Sequence, residues 1–304
     1  MPERLLEQFR QHDRRALARL LSMAAKGERS ETLLTGLDPS SHPSLVVAVT
    51  GSAGVGKSSL IGRLLAIVRG RGQSVAVLAS DPESPLSGGA LLGDRFRMPV
   101  RADDEGVFIR SLAAKPGHGA VAEHVDAMIS LLQAFPFDII LLETVGAGQG
   151  DTEVRDLADV VVLLIQPETG DDLQWEKAGL LEVADIVVIH KADLPQAEQT
   201  EAQVRSMLTL GGDSSRPVLR VSSKTGEGVE ALWEAIASCP RRKQTSTESK
   251  GDLLQRAQQA LRDRFTRAQA QGDPQVQELL ARWREGSLPE GEAIEGLFRL
   301  MARR

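Results

Sequence analysis

The sequence predicts a doubly wound α/β domain with a mainly parallel sheet and helical extensions at both ends, and three observations lead to this fold class. Seven short runs rich in Val, Ile and Leu recur along the chain: LVVAVT, SVAVLAS, GVFIRSL, FDIILLET, DVVVLLIQ, DIVVIH and PVLRVSS. Their apolar residues are continuous rather than alternating, as in strands buried on both faces of a parallel sheet. The segments between the runs are long enough for crossover helices, and a glycine-rich turn follows the first run.

The predicted organisation has three parts. Residues 1–42 form an N-terminal helical extension, because apolar residues recur there at helical spacing before the proline-containing stretch LDPSSHPS. Residues 43–240 contain the α/β domain. Residues 241–304 begin with a polar linker and continue as helices with apolar stripes, which we interpret as a C-terminal extension suited to dimerisation. The sequence leaves open whether the terminal helices pack on the core or on a second copy of the chain.

Composition and charge argue against several classes of protein. The formal net charge is −6 and the pI about 5.5, so the chain offers no basic surface to nucleic acid. A single cysteine, Cys239, excludes a disulfide framework and a cysteine-based zinc site, and the five histidines are scattered. No apolar run approaches the ~20 residues that span a bilayer, and the start of the chain lacks the apolar region of a signal peptide. We therefore expect a cytoplasmic protein that binds neither nucleic acid nor membranes.

A nucleotide-binding loop follows the first predicted strand. The stretch VVAVTGSAGVGKSS matches the pattern G-x-x-x-x-G-K-[ST] and leads into the helical stretch SSLIGRLLAIVRGRG. In such a loop the glycines let backbone N–H groups surround a phosphate at the positive end of the helix. Lys57 is then expected on the β- and γ-phosphates and the Ser58 hydroxyl on Mg²⁺. The predicted nucleotide-binding residues of this loop are Gly51, Ser52, Ala53, Gly54, Val55, Gly56, Lys57, Ser58 and Ser59.

A P-loop site also needs a carboxylate for its Mg²⁺ and a water positioned for attack. Two acidic residues stand at the carboxyl ends of predicted strands, where ligands bind in such sheets: Asp81 after SVAVLAS and Glu143 in FDIILLET. A third, Asp94, lies in the loop SPLSGGALLGDRFRM, whose three glycines suit a switch that orders around a γ-phosphate. Each acid taken alone would also suit a helix cap or a solvated loop.

Taken together, the longer motifs resemble the MeaB/ArgK family of G proteins. They are SDPESPLSGGALLGDRFRM, FIRSLA, ETVGAGQG, GDDLQWEKAGLLEVADIVVIHKAD and SSKTGEGV, and the resemblance runs from about Val46 to Trp233. Members of this family accompany adenosylcobalamin-dependent acyl-CoA mutases such as methylmalonyl-CoA mutase. The resemblance implies a SIMIBI-type P-loop GTPase that gates cofactor loading onto the mutase and protects or reactivates it. It also implies a homodimer that binds GTP or GDP with Mg²⁺, whereas no residue pattern by itself indicates cobalamin binding.

The resemblance also implies roles for individual residues. The implied Mg²⁺ ligands are Ser58, Asp81, Asp94 and Glu143, and the implied catalytic residues are Lys57, Asp94 and Glu143. The stretch GDDLQWEKAG is similar to the mobile segment through which family members signal nucleotide state to the mutase. Its expected signalling residues are Asp171, Gln174 and Lys177. On pattern alone this stretch would be an ordinary capped helix start.

The base-reading loop is expected in the stretch DIVVIHKADLP. In guanine-binding loops of the N-K-x-D kind, the aspartate accepts two hydrogen bonds that adenine cannot offer. That residue is Asp193 here, and Lys191 would lay its methylene stem over the base. Backbone N–H groups from VSSKTGEG would meet the guanine oxygen; the residues concerned are Ser222, Ser223 and Lys224. GTP is therefore the expected nucleotide.

The chain departs from the family pattern at two places. The stretch AAKPGHGAVA lacks the double glycine usual after the FIRS strand, and His190 stands where the base-reading loop has asparagine. An imidazole cannot present the paired donor and acceptor of a carboxamide. The expected loss is about 1 kcal/mol, roughly fivefold in affinity, unless another group compensates. His190 is then either a tolerated strand-end residue or a determinant of retuned specificity.

Reaction rate and rival functions are less constrained by the sequence. No arginine finger can be identified, and Gln149 is a weak candidate for orienting water. P-loop proteins without such groups hydrolyse slowly until a partner completes the site, so we expect slow GTP hydrolysis that the mutase accelerates. Three alternatives stay open. The first is a metallochaperone GTPase that delivers nickel, which would need Cys or His clusters. The second is a kinase that phosphorylates a transport protein. The third is a pure scaffold that binds no nucleotide, and the intact GSAGVGKSS argues against it.

Overall fold

Seven strands form one sheet in the first of two compact units of the chain. The computed structural model describes residues 2–27, 43–82, 104–114, 124–144, 152–167, 176–241, 257, 261, 264–265, 268 and 272–302. The chain divides into the units Met1–Gln244 and Thr245–Arg304. The sheet and every residue of the P-loop belong to the first unit.

All neighbouring strands of this sheet are parallel. The strands are β1 (Leu45–Gly51), β2 (Val75–Pro82), β3 (Val107–Ala114), β4 (Ile139–Glu143), β5 (Val160–Ile165), β6 (Ile186–His190) and β7 (Val218–Val221). Their spatial order is β3-β2-β4-β1-β5-β6-β7, so the chain starts at the centre and fills one half of the sheet before the other. The seven apolar runs of the sequence are these seven strands. Because parallel strands all end at one edge, the predicted site residues at strand ends are gathered there.

Helices connect the strands and cover both faces of the sheet. In the described part of the first unit the helices are α1 (Pro2–Arg10), α2 (Arg14–Ala24), α3 (Lys57–Gly70), α4 (Val125–Ala134), α5 (Thr152–Leu157), α6 (Glu176–Val183), α7 (Ala197–Leu210) and α8 (Val229–Ser238). In the described part of the second unit the continuous helices are α9 (Pro274–Arg284) and α10 (Glu290–Ala302). The predicted fold class, a doubly wound α/β domain with terminal helices, is confirmed.

The hydrophobic core has one layer on each face of the sheet. On one face, Leu17 and Leu20 of α2 are fully buried in a cluster with Met128 of α4. On the other face, Leu64 of α3 and Trp233 of α8 are buried against the strands. A further cluster joins α6 and α7 to β5, β6 and β7. Helices α1 and α2 therefore pack on the core of their own chain, which decides between the two placements that the sequence leaves open for them.

Two aspartates tie neighbouring strands together at the amino-terminal edge of the sheet. Asp159 stands just before β5, and its Oδ2 accepts a hydrogen bond from the Val46 N–H of β1 at 2.9 Å. Asp185 stands before β6, and its Oδ2 accepts from the Val161 N–H of β5 at 2.7 Å. A carboxylate that accepts from a backbone N–H makes a strong hydrogen bond. These acids fix the starts of three adjacent strands, at the edge opposite to the P-loop.

The second unit contains a small apolar cluster of its own. Asp273 caps α9 by accepting hydrogen bonds from the backbone N–H groups of Gln275 and Val276. Around Val276, the partly buried side chains packed in this cluster are Leu261, Phe265, Leu280, Leu297 and Leu300. Among the residues of this unit whose burial is described, three large apolar ones are exposed: Trp283, Ile294 and Phe298. Within the described ranges, no helix of either unit combines the length and apolarity needed to cross a bilayer.

The Asp159 contact predicts a large loss of stability when its acceptor is removed. In Asp159→Ala the Val46 N–H stays buried without that partner, so we expect the free energy of unfolding to fall by about 1–3 kcal/mol. Urea unfolding followed by circular dichroism measures the change. Asp156→Ala, which alters an exposed residue on α5, is the matched control and should stay near wild type. Equal stability of the two variants would contradict a structural role for Asp159.

Candidate nucleotide-binding site

The P-loop lies so close to its neighbours that side chains are excluded at two of its glycines. Gly51 ends β1 with φ 144°, and a Cβ there would lie 2.5 Å from the Leu164 carbonyl oxygen of β5. Gly56 precedes α3 with φ 104°, and a Cβ there would lie 2.5 Å from Cε1 of His190. Both φ angles also strain any residue with a Cβ. The P-loop therefore packs closely against the carboxyl ends of β5 and β6.

Lys57 is held inside the loop that it serves. Its Nζ donates hydrogen bonds to the carbonyl oxygens of Gly51, at 2.9 Å, and Ser52, at 3.1 Å. The side chain is buried even though it is charged. Because buried charges need polar partners, these carbonyls keep the ammonium group against the loop. Lys57 therefore lies within the P-loop, and its contact with phosphate stays a prediction.

Ser58 and Glu143 form a buried pair at the carboxyl end of the sheet. The Ser58 hydroxyl, in the first turn of α3, donates to Glu143 Oε1 at 2.8 Å. Glu143 is the last residue of β4 and lies beside Val49 of β1 in the strand register. Next to the pair, the Thr144 hydroxyl donates to the hydroxyl of Thr50 at 3.0 Å. The site thus contains a hydroxyl and a carboxylate, both of them oxygen donors, at the start of the P-loop helix.

This pair has the donor chemistry that Mg²⁺ requires. Mg²⁺ prefers oxygen ligands and normally keeps waters and substrate phosphates in its shell, so one or two protein ligands suffice. Among the described residues, no group of three or more His, Cys, Asp or Glu residues forms a metal site without such help. Ser58 and Glu143 therefore fit a magnesium ion that is shared with a nucleotide, and they fit a dedicated protein-only metal site poorly.

Several predicted residues cannot be placed in this geometry. Asp81 lies within β2, but its side chain is outside the described part of the structure. Lys177 lies within α6 with the same restriction. The remaining ones fall outside the described residues altogether; they are Asp94, Gln149, Asp171 and Gln174. The second carboxylate for Mg²⁺, the water-orienting residue and the signalling segment stay predictions.

His190, the last residue of β6, connects two loops through its ring. Nδ1 lies 2.6 Å from the Val55 carbonyl oxygen of the P-loop, and Nε2 lies 2.7 Å from the Ser223 hydroxyl. A carbonyl oxygen only accepts, so Nδ1 carries a hydrogen. Burial, together with the positive charge of Lys191, lowers the pKa of His190 and keeps the ring neutral near pH 7. Nε2 then accepts a hydrogen bond from Ser223.

These contacts bear on the loss of affinity that is expected for a histidine at this position. The expected loss assumed that an imidazole cannot replace a carboxamide's paired donor and acceptor. In the structure the ring does provide one donor and one acceptor, directed at Val55 and Ser223. His190 therefore does more than occupy the end of a strand. Sequence reasoning missed this because the partners are 135 and 33 residues away along the chain.

Lys191 and Asp193 lie in the loop that directly follows His190 and also contact neighbouring segments. Lys191 Nζ donates to Gln166 Oε1 at 2.6 Å and to the Gly54 carbonyl oxygen at 3.2 Å. Asp193 Oδ1 accepts from the Ser222 hydroxyl at 2.7 Å. That hydrogen bond lowers the pKa of Asp193, so the carboxylate is ionised near neutral pH. An ionised carboxylate at this position is what recognition of two guanine N–H donors needs.

Arg63 and Gln166 join the site although the sequence analysis did not single them out. Arg63, on the P-loop helix α3, donates through Nε to the Ser223 carbonyl oxygen at 2.7 Å and through Nη2 to that of Lys224 at 3.1 Å. Gln166 follows the carboxyl end of β5, where the fold class binds ligands, and this position was the available signal. For Arg63 the sequence carries no such signal, because both acceptors are backbone carbonyls.

Comparison with known proteins finds one family over most of the chain. A family model described as methylmalonyl-CoA mutase-associated GTPase MeaB matches residues 15–277. The chain is 36% identical over 299 residues to a Pyrococcus horikoshii protein named as a GTPase, covering 96% of this chain and 91% of that one. It is 33% identical over 266 residues to the GTPase ArgK of Escherichia coli, covering 84% and 79%. It is 39% identical over 197 residues to the mitochondrial methylmalonic aciduria type A homolog of Mus musculus, covering 62% and 48%.

Solved structures confirm the fold. A crystal structure of a LAO/AO transport system kinase aligns with a TM-score of 0.58 and 24% sequence identity. The alignment covers 99% of this chain and 97% of that one. At this level of identity the likeness concerns the fold alone.

The buried His190 ring predicts a component of stability that is lost in mild acid. The unfolded chain binds a proton at this histidine below about pH 6.5, whereas burial makes the folded chain resist protonation. The free energy of unfolding should therefore decrease as the pH falls from about 7.5 to about 5.5. His190→Asn should lack this part of the decrease, as measured by urea unfolding at both pH values.

A control variant shows whether a substitution by itself alters the pH dependence. Ser214→Ala, which changes an exposed serine and removes no titratable group, should keep the wild-type pH dependence. Identical pH dependence in the wild type and in His190→Asn would contradict the prediction.

Proposed function

The chain belongs to the MeaB family of methylmalonyl-CoA mutase-associated GTPases, and we propose that it is a GTP-dependent chaperone of an adenosylcobalamin-dependent acyl-CoA mutase. In this role its nucleotide state gates cofactor loading onto the mutase and helps to protect or reactivate it. The observation that carries the proposal is the family match over residues 15–277. The identity shared with the methylmalonic aciduria type A homolog of mouse supports the same partner, methylmalonyl-CoA mutase or a relative.

The site geometry supports the binding of a guanine nucleotide with Mg²⁺. Lys57 lies in the phosphate loop, and the Ser58 and Glu143 pair offers oxygen ligands. Held by Ser58 and Glu143, Mg²⁺ would supply positive charge that offsets the negative charge of the nucleotide phosphates. The ionised carboxylate of Asp193 would accept hydrogen bonds from guanine. Asp81 and Asp94 would complete the ligands of the metal and its water, with Lys57, Asp94 and Glu143 as the catalytic residues.

Signalling and assembly are also part of the proposal. The segment that contains Asp171, Gln174 and Lys177 would report the nucleotide state to the mutase. The C-terminal extension would hold a homodimer together, and the exposed Trp283, Ile294 and Phe298 of the second unit support an apolar contact. Light scattering after size-exclusion chromatography measures the assembly.

The partner proposal predicts that the mutase accelerates GTP hydrolysis. The isolated protein should release phosphate slowly, and adding methylmalonyl-CoA mutase should raise the rate about tenfold or more, because the partner completes the site. A phosphate-release assay with and without the mutase measures this. An isolated rate of many turnovers per second, or a rate indifferent to mutases of this class, would count against the proposal.

The same preparation tests the alternative of a kinase acting on a transport protein. With γ-labelled GTP, the proposal expects the label in free phosphate only. Labelling of an acceptor protein would support a kinase instead. Release of bound nickel on GTP hydrolysis would support a metallochaperone, although the described residues contain no cluster of metal-binding side chains.

The magnesium assignment predicts a specific defect in Ser58→Ala. Replacing a residue that only hydrogen-bonds to a metal ligand already costs ~10-fold in metal affinity or activity. The loss of a direct ligand should therefore cost at least as much. Titration of Mg²⁺ in the GTP hydrolysis assay measures the shift in the concentration needed for half-maximal rate. Ser214→Ala, at an exposed serine, is the control. An unchanged Mg²⁺ dependence of Ser58→Ala would remove Ser58 from the metal site.

A further inference from the structure

One side chain links the three segments that build the nucleotide site. The His190 ring reaches the Val55 carbonyl oxygen in the P-loop and the Ser223 hydroxyl in the loop after β7, while its own backbone ends β6. The residue is 3% exposed, and Val55 is fully buried. Both ring nitrogens are occupied by protein groups. A nucleotide base therefore has no free nitrogen on this ring to contact.

The P-loop also packs closely against the Cε1–Nδ1 edge of this ring. A Cβ at Gly56 would lie 2.5 Å from Cε1 and 2.7 Å from Nδ1 of His190, so glycine alone fits there. The loop backbone at Gly56 and the imidazole are therefore in close contact. Packing and the hydrogen bond from Nδ1 to Val55 both connect the phosphate loop to the ring.

Ser223 forms hydrogen bonds through both its side chain and its backbone carbonyl. Its hydroxyl donates to His190, and its carbonyl oxygen accepts from Arg63 at 2.7 Å. Arg63 lies on α3, the helix that begins at the P-loop. The preceding residue, Ser222, donates to Asp193 Oδ1. The phosphate loop is therefore connected through His190 to Ser223, which is adjacent in sequence to Ser222, the residue bound to the Asp193 carboxylate.

We propose that His190 is a positioning residue that couples the phosphate loop to the guanine-reading loop, donating from Nδ1 to Val55 and accepting at Nε2 from Ser223. It replaces the usual asparagine tether with a longer bridge and does not touch the base. Guanine selectivity then stays with Asp193, and its strength depends on the His190–Ser223 hydrogen bond. This inference rests on the proposed guanine nucleotide site.

Two single substitutions and their combination test the bridge. In His190→Asn, the amide nitrogen takes the place of Nδ1 and can keep the Val55 bond, but nothing reaches Ser223. Ser223→Ala removes the same bond from the other side. Each variant should bind GDP roughly fivefold more weakly in calorimetric titration, and the double variant should also lose only roughly fivefold. Losses that multiply to roughly twenty-five-fold would overturn the bridge, as would no loss in either single variant.

A comparison of GDP with ADP separates positioning from a general loss of structure. ADP makes little use of Asp193, so each single variant should lose the GDP over ADP preference by about the same fivefold factor. Equal losses for both nucleotides would overturn the coupling. His190→Gln, whose amide lies near the position of Nε2, should recover part of the preference relative to His190→Ala. Ser214→Ala serves as the control for unrelated loss of a hydroxyl.

The protonation pattern of the ring provides a test without nucleotide. Nitrogen NMR of the ¹⁵N-histidine-labelled, nucleotide-free protein at neutral pH should show His190 protonated at Nδ1 and unprotonated at Nε2. The opposite tautomer would overturn the bridge. If the wild type binds neither GDP nor ADP, both the proposed function and the proposed recognition of guanine are wrong. If it binds GDP selectively but shows multiplying losses or the opposite tautomer, the bridge alone fails.

Discussion

The candidate site depends on the close approach of the P-loop backbone to the ends of the two strands beside it. At Gly51 the loop meets the backbone of Leu164, and at Gly56 it meets the ring of His190, with no space for a Cβ at either point. A parallel sheet makes this approach possible because β1 ends at the same edge as β5 and β6. Once the loop backbone is fixed there, the positions of Lys57 and Ser58 are restricted. The geometry of the phosphate site is thus largely a packing constraint.

Buried polar groups at this edge are hydrogen-bonded to one another. Ser58 pairs with Glu143 and Thr144 with Thr50, while the buried Ser222 donates to the exposed Asp193. A buried hydrogen-bonded pair is tolerated, while either partner alone would carry a desolvation cost of about 1–3 kcal/mol. The opposite edge uses the same device for stability, with Asp159 and Asp185 bound to strand N–H groups. The acidic residues at these strand starts therefore bind backbone N–H groups, whereas Glu143 at a strand end binds a side chain of the P-loop helix.

The sequence predicted the parts of the molecule that have local signals. Continuous apolar runs identified all seven strands, and the P-loop pattern located Lys57 and Ser58. The rule that ligands bind at strand ends drew attention to Glu143, which the structure pairs with Ser58. Arg63 could not be predicted because its acceptors are carbonyl oxygens of residues 160 and 161 positions away. Any residue type supplies a carbonyl. Long-range hydrogen bonds to backbone leave no trace in a single sequence.

His190 shows why a departure from a motif needs its surroundings before it can be interpreted. Compared atom by atom with asparagine, the imidazole keeps one nitrogen at the same distance from the backbone and adds a second one further out. The first meets Val55, and the second has a use only because Ser223 is a serine with its hydroxyl at 2.7 Å. With alanine at position 223, Nε2 would be a buried acceptor without that donor, and histidine would be the costlier choice. The identity of residue 190 is therefore meaningful only together with residues 56 and 223. The first must lack a side chain, and the second must donate a hydrogen bond.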